Sequence, residues 1–262
     1  MTWTNNSSNY SETQDLAHLP ADFFEMGLLA FLFLIGVPFN CFALFHLGGI
    51  YKVQTRPGQQ SSLKTSFTLQ KIHLNISNLF VLVFYCSIQG GWLVTYKWIA
   101  GVFVCKLTYF LWAVSFHLNS NIVTVIAIDR FRNCIRLRKM SKRKNIRYNF
   151  YHQKSVNMIM LILAWVLAVI ESAPQFSVFT VTQINPAFAQ CITIWTERRF
   201  AFQLGHSYRF NVERCYLVAH LLTVFYLPLL AIFCSYMGII FILFRLGGRN
   251  MENVTENCTN GT

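Results

Sequence analysis

The sequence predicts an all-α membrane protein. Of its 262 residues, 54% are hydrophobic and 12% are charged, whereas soluble domains carry about 25% charged residues. Five apolar segments approach or exceed the ~20 residues that a spanning helix needs. The third, Leu107 to Ile128, contains no formal charge and would make a helix about 33 Å long. These observations together exclude an ordinary soluble domain.

The predicted spans divide the chain into three parts. Residues 1–22 form a polar tail, residues 23–245 a helix bundle, and residues 246–262 a second short tail. The five predicted spans cover residues 23–47, 72–96, 107–128, 155–176 and 215–244. The first tail lacks an apolar core and any Lys or Arg, so we expect no cleavable signal peptide.

The distribution of basic residues predicts the orientation. The net charge of +12 would suggest nucleic acid as a partner of a soluble chain. Here most basic residues fall between spans 1 and 2 and between spans 3 and 4, and such loops are cytoplasmic by the positive-inside rule. We therefore expect the lipid bilayer rather than nucleic acid as the partner, an extracellular amino terminus and a multi-pass protein.

The amino-terminal tail carries overlapping glycosylation sequons. Asn5, Asn6 and Asn9 each begin an Asn-x-Ser triplet on the predicted outer side, so we expect glycans there. The triplets at Asn253, Asn257 and Asn260 fall on the predicted cytoplasmic side, and we expect them to stay unmodified.

Spans 1, 2 and 4 contain polar and kink-forming residues. Pro38 and Asn40 interrupt the first span, which is tolerated where neighbouring helices supply hydrogen-bond partners. Asn40 should therefore face the bundle. Asn75, which lies one turn before Asn78 on span 2, is expected to bond between helices. Glu171 is the one acid well inside a span, and three alternatives stay open: a cationic ligand group, an outer-loop arginine, or the headgroup region.

Cysteine positions predict a disulfide bond. Of eight cysteines, Cys105, Cys191 and Cys215 lie at the outer side, where disulfides persist. We select Cys105 with Cys191, because Cys215 begins a span and this bridge would hold the long outer loop over the bundle. The remaining cysteines, Cys41, Cys86, Cys134, Cys234 and Cys258, are read as free thiols.

No catalytic or metal-binding pattern is present. The sequence lacks a Gly-x-Ser-x-Gly elbow, a phosphate loop and a Cys-x-x-Cys pair. His117 and His220 lie within spans and are expected to be hydrogen-bonded packing residues rather than metal ligands. We therefore expect neither an enzyme nor a bound cofactor.

A set of residues shares the order and spacing of one receptor superfamily. Its members are Asn40, Asn78, Cys105, Asp129-Arg130-Phe131, Trp165, Pro174, Cys191, Pro228 and Tyr236. Together they resemble the rhodopsin-like G-protein-coupled receptors, whose third helix begins with a disulfide cysteine and ends in an Asp-Arg-Tyr-like triplet. The sequence is most similar to peptide receptors of the gonadotropin-releasing-hormone, adipokinetic-hormone and corazonin group, and next to vasopressin and oxytocin receptors. Trp98-Ile-Ala-Gly101, Ser172-Ala-Pro-Gln175 and Phe188-Ala-Gln-Cys191 support this likeness.

The resemblance implies two functional regions. Tyr109, Trp112, Phe116, Asn119 and Glu171 are the candidates for an outer ligand pocket. An amine receptor would carry an aspartate where Trp112 stands, so an extracellular peptide is the expected ligand. Asp129, Arg130, Phe131 and Tyr236 are the expected activation switch and face a heterotrimeric G protein, while Asn40, Asn78, Trp165, Pro174 and Pro228 shape the bundle.

The family has seven spans, and five are found in this sequence. Three hypotheses follow: a fragment or isoform of a peptide receptor at the plasma membrane, a non-signalling chain that associates with full-length receptors as a homo- or hetero-oligomer, or a small transporter or channel. The last lacks repeated segments and a chain of intramembrane charges, so we rank it last.

Overall fold

The computed structural model describes residues 19–56, 62–142, 150–185, 188–202 and 207–259. Within these ranges, five helical segments are long and apolar enough to cross a membrane, which confirms the predicted fold class. Spans 1 to 5 are Pro20–Gln54, Lys64–Thr95, Gly101–Arg136, Ser155–Val178 and Val212–Arg245.

The helices extend beyond the predicted apolar segments. They are α1 (Pro20–Gln54), α2 (Ser62–Phe80), α3 (Ser87–Thr95), α4 (Gly101–Lys142), α5 (Phe150–Ser172), α6 (Gln175–Val178), α7 (Ile194–Phe202), α8 (Ser207–Leu221) and α9 (Leu227–Thr259). Helix α2 begins ten residues before residue 72, where span 2 was predicted to begin. Its polar first turns pack inside the bundle, because Thr65, Ser66 and Gln70 are all buried. The last helix continues into the predicted carboxy-terminal tail.

Two spans contain a π-helical turn. One joins α2 to α3 at Val81–Cys86, and the other joins α8 to α9 at Leu222–Tyr226. The second turn lies just before Pro228, which has no backbone N–H and whose ring would crowd the carbonyl four residues earlier. A widened turn at this position relieves that conflict.

The outer loop between spans 4 and 5 forms a hairpin that the sequence analysis did not predict. Strand β1 (Phe179–Asn185) pairs antiparallel with β2 (Phe188–Thr193), and Val181 stands opposite Cys191. The backbone N–H of Trp98 donates to the carbonyl of Ala189 at 2.8 Å. This contact attaches the hairpin to the loop between spans 2 and 3.

Span 3 is the centre of the packing. It contacts spans 2, 4 and 5, while span 1 packs against span 2. The main core is apolar and consists of Leu69, Leu118, Ile122, Val125, Leu161, Ala164 and Ala168. A buried polar pair adds specificity beside it, because Gln70 Nε2 on span 2 donates to Asn157 Oδ1 on span 4 at 2.5 Å.

Candidate functional site

Aromatic rings fill the outer end of the bundle between spans 2 and 3. The outer aromatic cluster comprises Tyr85, Tyr109, Trp112 and Phe116, with ring centroids 5.3 Å apart for Tyr109–Trp112 and 5.6–5.7 Å for Tyr85 with Phe116 and Trp112. Tyr109 also stacks on Phe179 of β1 at 3.8 Å. The structure therefore brings together three of the five predicted pocket residues.

A small cavity opens beside this cluster. Its volume is about 20 Å³, the space of one water molecule. The lining has no formal charge and consists of Tyr85, Ile88, Gln89, Trp92, Trp98, Tyr109 and Trp112. The indole Nε1 of Trp112 is buried and has no hydrogen-bond acceptor among the described residues. An unpaired buried donor favours a carbonyl oxygen of an incoming molecule.

The hairpin covers this end of the bundle. A disulfide joins Cys105 at the outer end of span 3 to Cys191 on β2, which confirms the predicted pairing. Trp92 Nε1 donates to Gln190 Oε1 at 3.0 Å, so span 2 also holds the hairpin. The other cysteines whose side chains are described, Cys41, Cys86, Cys134, Cys215 and Cys234, are free thiols.

Tyr96 closes the outer end of span 2. Its backbone adopts a left-handed conformation with φ of 49°, and helix α3 ends at the residue before it. Its phenol donates to the carboxylate of Asp22 at the start of span 1, and this hydrogen bond raises the pKa of Tyr96 above its ordinary value. Spans 1 and 2 are thereby joined at the outer surface.

Polar side chains from three spans meet in the middle of the bundle. The asparagine cluster comprises Asn40, Ser77, Asn78 and Asn119. Asn78 Nδ2 donates to Asn40 Oδ1 at 3.4 Å, and Asn119 Nδ2 donates to Asn78 Oδ1 at 2.6 Å. Asn40 thus faces the bundle, as the sequence indicates. Asn75 differs from its prediction, because its side chain bonds at 2.8 Å to the carbonyl of Lys71 on its own helix.

A large opening borders the asparagine cluster. This membrane cleft has a volume of about 640 Å³ and lies between spans 1, 2, 3 and 5. Its polar lining consists of Asn40, Asn78, Asn119 and Ser120, and its apolar lining includes Phe31, Leu82, Phe116, Val224, Pro228 and Ile232. Asn119 belongs to this cleft, one helical turn below the outer aromatic cluster.

Pro228 and the π-turn have a partner on span 3. Proline at this position leaves the carbonyl of Val224 without its usual helical donor. Ser120 Oγ donates to that carbonyl at 2.6 Å. The kink in span 5 is thereby fixed to span 3. On span 4, the indole of Trp165 donates to His73 Nδ1 at 3.2 Å, and α5 ends at Ser172, two residues before Pro174.

Glu171 lies apart from the aromatic cavity. Its Oε2 is 3.2 Å from Nδ1 of His117 and accepts a hydrogen bond from Asn121 Nδ2 at 3.1 Å. The ring of His220 on span 5 stands 5.0 Å from that of His117. The sequence had suggested a ligand group, an outer-loop arginine or the headgroup region as the surroundings of Glu171. The neighbour observed in the structure is instead His117. His117 is buried and His220 is half-buried, so both pack within the bundle, but neither ring nitrogen of His117 makes a hydrogen bond among the described residues, which differs from the predicted hydrogen-bonded packing.

At the predicted cytoplasmic end, Asp129 and Arg130 contact different neighbours. The Asp129 carboxylate accepts a hydrogen bond from Asn133 at 3.0 Å, whereas the Arg130 guanidinium lies over the Phe67 ring, 3.6 Å from its centroid. No salt bridge joins the two among the described residues, because successive residues of a helix do not face each other. Phe131 packs against Gly238 of span 5, and Tyr236 is half exposed.

Several residues of these regions were not predicted from the sequence. Tyr85, Gln89 and Trp92 share one face of span 2 at spacings of four and three residues, which is a helical pattern that could have identified them. Phe179 and Gln190 come from the hairpin and had no such pattern. The predicted glycosylation sites Asn5, Asn6 and Asn9 lie outside the described residues. Among the described residues, no cluster suits a metal ion.

Comparison with known proteins identifies the family. Residues 57–257 match the model of the 7 transmembrane receptor (rhodopsin family). A G-protein coupled receptor named daf-38 from Caenorhabditis elegans is 29% identical over 243 residues, which cover 89% of this chain and 54% of that protein. Gonadotropin-releasing hormone receptors are also similar. The pig receptor is 27% identical, and the match covers 87% of this chain and 64% of that receptor. The human receptor is 25% identical, and the match covers 82% of this chain and 60% of that receptor.

The chain spans about half to two thirds of the length of the curated relatives that it matches. The match to the family model nevertheless covers most of the chain, from the loop between spans 1 and 2 to the last helix. The apolar spans make it a multi-pass membrane protein. The chain therefore belongs to the rhodopsin family of seven-transmembrane receptors, which are signalling receptors rather than enzymes.

Proposed function

We propose that this chain binds an extracellular peptide and acts through a heterotrimeric G protein at the plasma membrane. The observation that carries this proposal is the uncharged outer aromatic cluster, on which the disulfide-bonded hairpin packs through Phe179. A cationic amine requires a carboxylate for charge pairing, and the cavity lining contains none. Peptide side chains and backbone carbonyls suit aromatic surfaces and the free indole donor of Trp112.

The similar proteins support the same ligand class. Several of them are named gonadotropin-releasing hormone receptors, and each covers between 62% and 87% of this chain in the match. Those names describe the ligand of the relatives. Extended to this chain, they favour a peptide hormone over an amine or a lipid.

A binding assay tests this proposal. The chain is expressed in cultured cells, and labelled gonadotropin-releasing hormone is the probe. We expect saturable binding, and Trp112→Ala should weaken it at least about ten-fold, because aromatic residues at the centre of an interface carry most of the binding energy. Phe233→Ala is the matched control, because the side chain of Phe233 is 60% exposed on span 5 and points away from the bundle. This variant should bind the hormone as the wild type does.

The two outcomes of this assay bear on separate claims. Equal affinity of Trp112→Ala and wild type at equal surface levels would reject the aromatic cavity as the binding site. Absence of saturable binding by the wild type would reject gonadotropin-releasing hormone as its ligand.

We further propose that the amino terminus faces outward and that Asn5, Asn6 and Asn9 carry glycans. The basic loops between spans 1 and 2 and between spans 3 and 4 support this orientation. Treatment with an endoglycosidase should increase the gel mobility of the wild type, while the triple variant N5Q/N6Q/N9Q should already migrate faster and not respond. A wild type that does not respond to the enzyme would contradict the glycan assignment.

Arg130 and Tyr236 are proposed to face the G protein. Arg130 is held by the ring of Phe67 rather than by an ion pair in the described structure, so a partner can attract the guanidinium without breaking a salt bridge. Arg132, Arg136 and Arg138 add positive charge further along the same helix. Arg130→Ala should abolish peptide-stimulated nucleotide exchange while leaving peptide binding at the outer end unchanged.

A second candidate function is association with a full-length receptor of the same family. The membrane cleft carries this candidate, because Asn78 and Asn119 line an open face in the apolar region. Polar groups at such a depth are stabilised by a further helix. Co-expression with the pig gonadotropin-releasing hormone receptor should give co-purification that Ile232→Trp, which narrows the cleft, reduces. A sharp monomer in mild detergent would count against it.

A further inference from the structure

Spans 3, 4 and 5 each contribute one titratable side chain to a single cluster. His117 is completely buried, and its Nδ1 lies 3.2 Å from Oε2 of Glu171. The ring of His220 stands at 78° to that of His117, with centroids 5.0 Å apart. We propose that His117, Glu171 and His220 form a proton-binding site whose occupancy controls the contact between spans 3 and 5. This inference goes beyond the proposed receptor function and does not depend on it.

The balance of charge in this site favours one shared proton between His117 and Glu171. With a neutral imidazole and an ionised carboxylate, the pair has a net charge of minus one. One added proton, whether it resides on nitrogen or on oxygen, makes the pair neutral overall. Because an unbalanced charge is expensive in the apolar region, the singly protonated pair is the form that the closed bundle selects.

A second proton has a different effect. It forms an N–H bond on His220 or protonates the pair further, and it comes from water at the outer surface, which the 23% exposed side chain of Glu171 approaches. The cluster then carries a net positive charge, and the rings of His117 and His220 are too close to hold two cations without repulsion. Acidification therefore separates span 5 from span 3.

The part of span 5 next to this site is well suited to move. His220 lies two residues before the π-turn Leu222–Tyr226. One turn further inward, Ser120 Oγ donates to the Val224 carbonyl at 2.6 Å. His117 and Ser120 are three residues apart on span 3, while His220 and Val224 are four apart on span 5, so both pairs lie on facing sides. Displacement of His220 thus strains the Ser120–Val224 contact.

The side chains that contact the three residues of the site carry no formal charge. Asn121 donates to Glu171, and Tyr216 stacks on His220 with 6.2 Å between centroids. Trp195 of α7 packs on Tyr216, and Gln175 of α6 is buried nearby. Glu213 lies two turns further out on the same face of α8 as His220. An ordinary phenol stays protonated across the neutral range, so the three residues of the site account for its response there.

The test uses the full chain in lipid nanodiscs and measures its thermal unfolding midpoint from about pH 5 to about pH 9. We expect a maximum, with a fall of about 3 °C or more on each side. Glu171→Gln should remove the alkaline fall, because the pair can no longer become negative. His220→Gln should reduce the acid fall, because the second proton loses its site. His46→Gln, an exposed histidine of span 1, is the matched control and should keep the wild-type profile.

Infrared spectroscopy of the wild type provides a readout that a merely structural role would not change. Acidification across the neutral range should produce a carboxylic-acid C=O band if the shared proton resides on Glu171, since exposed carboxylates stay ionised there, or imidazolium bands of His117 if it resides on nitrogen. Glu171→Gln should remove the first and His117→Gln the second. The proposal is overturned by a wild-type unfolding midpoint that does not vary with pH, by a profile that both variants share with the wild type, or by spectra in which neither Glu171 nor His117 changes with pH.

Discussion

Span 3 separates two sides of the bundle that are packed differently. Toward spans 2 and 4, Leu118, Ile122 and Leu161 are fully buried in a continuous apolar core. Toward spans 1 and 5, the membrane cleft of about 640 Å³ exposes the asparagine cluster. The side toward spans 2 and 4 is therefore packed as densely as a protein interior. On the side toward spans 1 and 5, the polar groups form hydrogen bonds chiefly with one another.

This difference relates to function. The closed side, formed by spans 2, 3 and 4, supplies a rigid support on which the outer aromatic cluster is placed. The open side contains the features that permit movement: the π-turn, Pro228, and the contact between Ser120 and Val224. The rigid and the movable elements thus contact opposite faces of the same helix, span 3.

The largest expected effect comes from the closed side. Leu118→Ala should lower the free energy of unfolding by about 2–5 kcal/mol, because it leaves a cavity in a fully packed core. Reversible unfolding in mixed micelles is the measurement. Leu243→Ala, at a side chain that is 57% exposed on span 5, should change stability by less than about 0.5 kcal/mol. Similar losses in both variants would show that the closed side is not specially packed.

A smaller effect is expected where spans 3 and 5 touch near the cytoplasmic end. A Cβ atom on Gly238 would overlap a ring carbon of Phe131. Gly238→Ala should therefore cost about 1–3 kcal/mol through overpacking, measured by the same unfolding experiment. Gly48→Ala is the control, since nothing lies within 4 Å of its added Cβ atom, and it should be neutral or stabilising by up to about 1 kcal/mol. A neutral Gly238→Ala would mean that span 5 is already loose at this point.

The sequence predicted features that depend on length and composition. The five spans follow from apolar runs, and the Cys105–Cys191 bond follows from which cysteines lie outside. The hairpin was not predicted, although residues 179–182 alternate apolar and polar side chains, because the loop between spans 4 and 5 was examined only for its cysteine.

Features that depend on helix rotation could not be predicted in this way. Glu171 contacts His117 because spans 3 and 4 present these faces to each other, and the sequence of one span does not reveal the face of its neighbour. The π-turn at Val81–Cys86 shifts the outer part of span 2 relative to its inner part, so Tyr85 and Trp92 could not be aligned with Asn78 by simple helical spacing. Arg130 over Phe67 is a further contact of this kind.

The smallest expected effect belongs to the open side. Asn78→Leu removes the hydrogen bonds to Asn40 and Asn119 and should cost about 0.6–1.7 kcal/mol, the range for polar contacts between membrane helices. Asn75→Leu is the matched control on the same helix, because its side chain bonds to its own backbone, and it should have little effect. If Asn78→Leu instead cost as much as Leu118→Ala, the asparagine cluster would be a second core that joins spans 1, 2 and 3 firmly, and the only movable element of the open side among the described residues would be span 5.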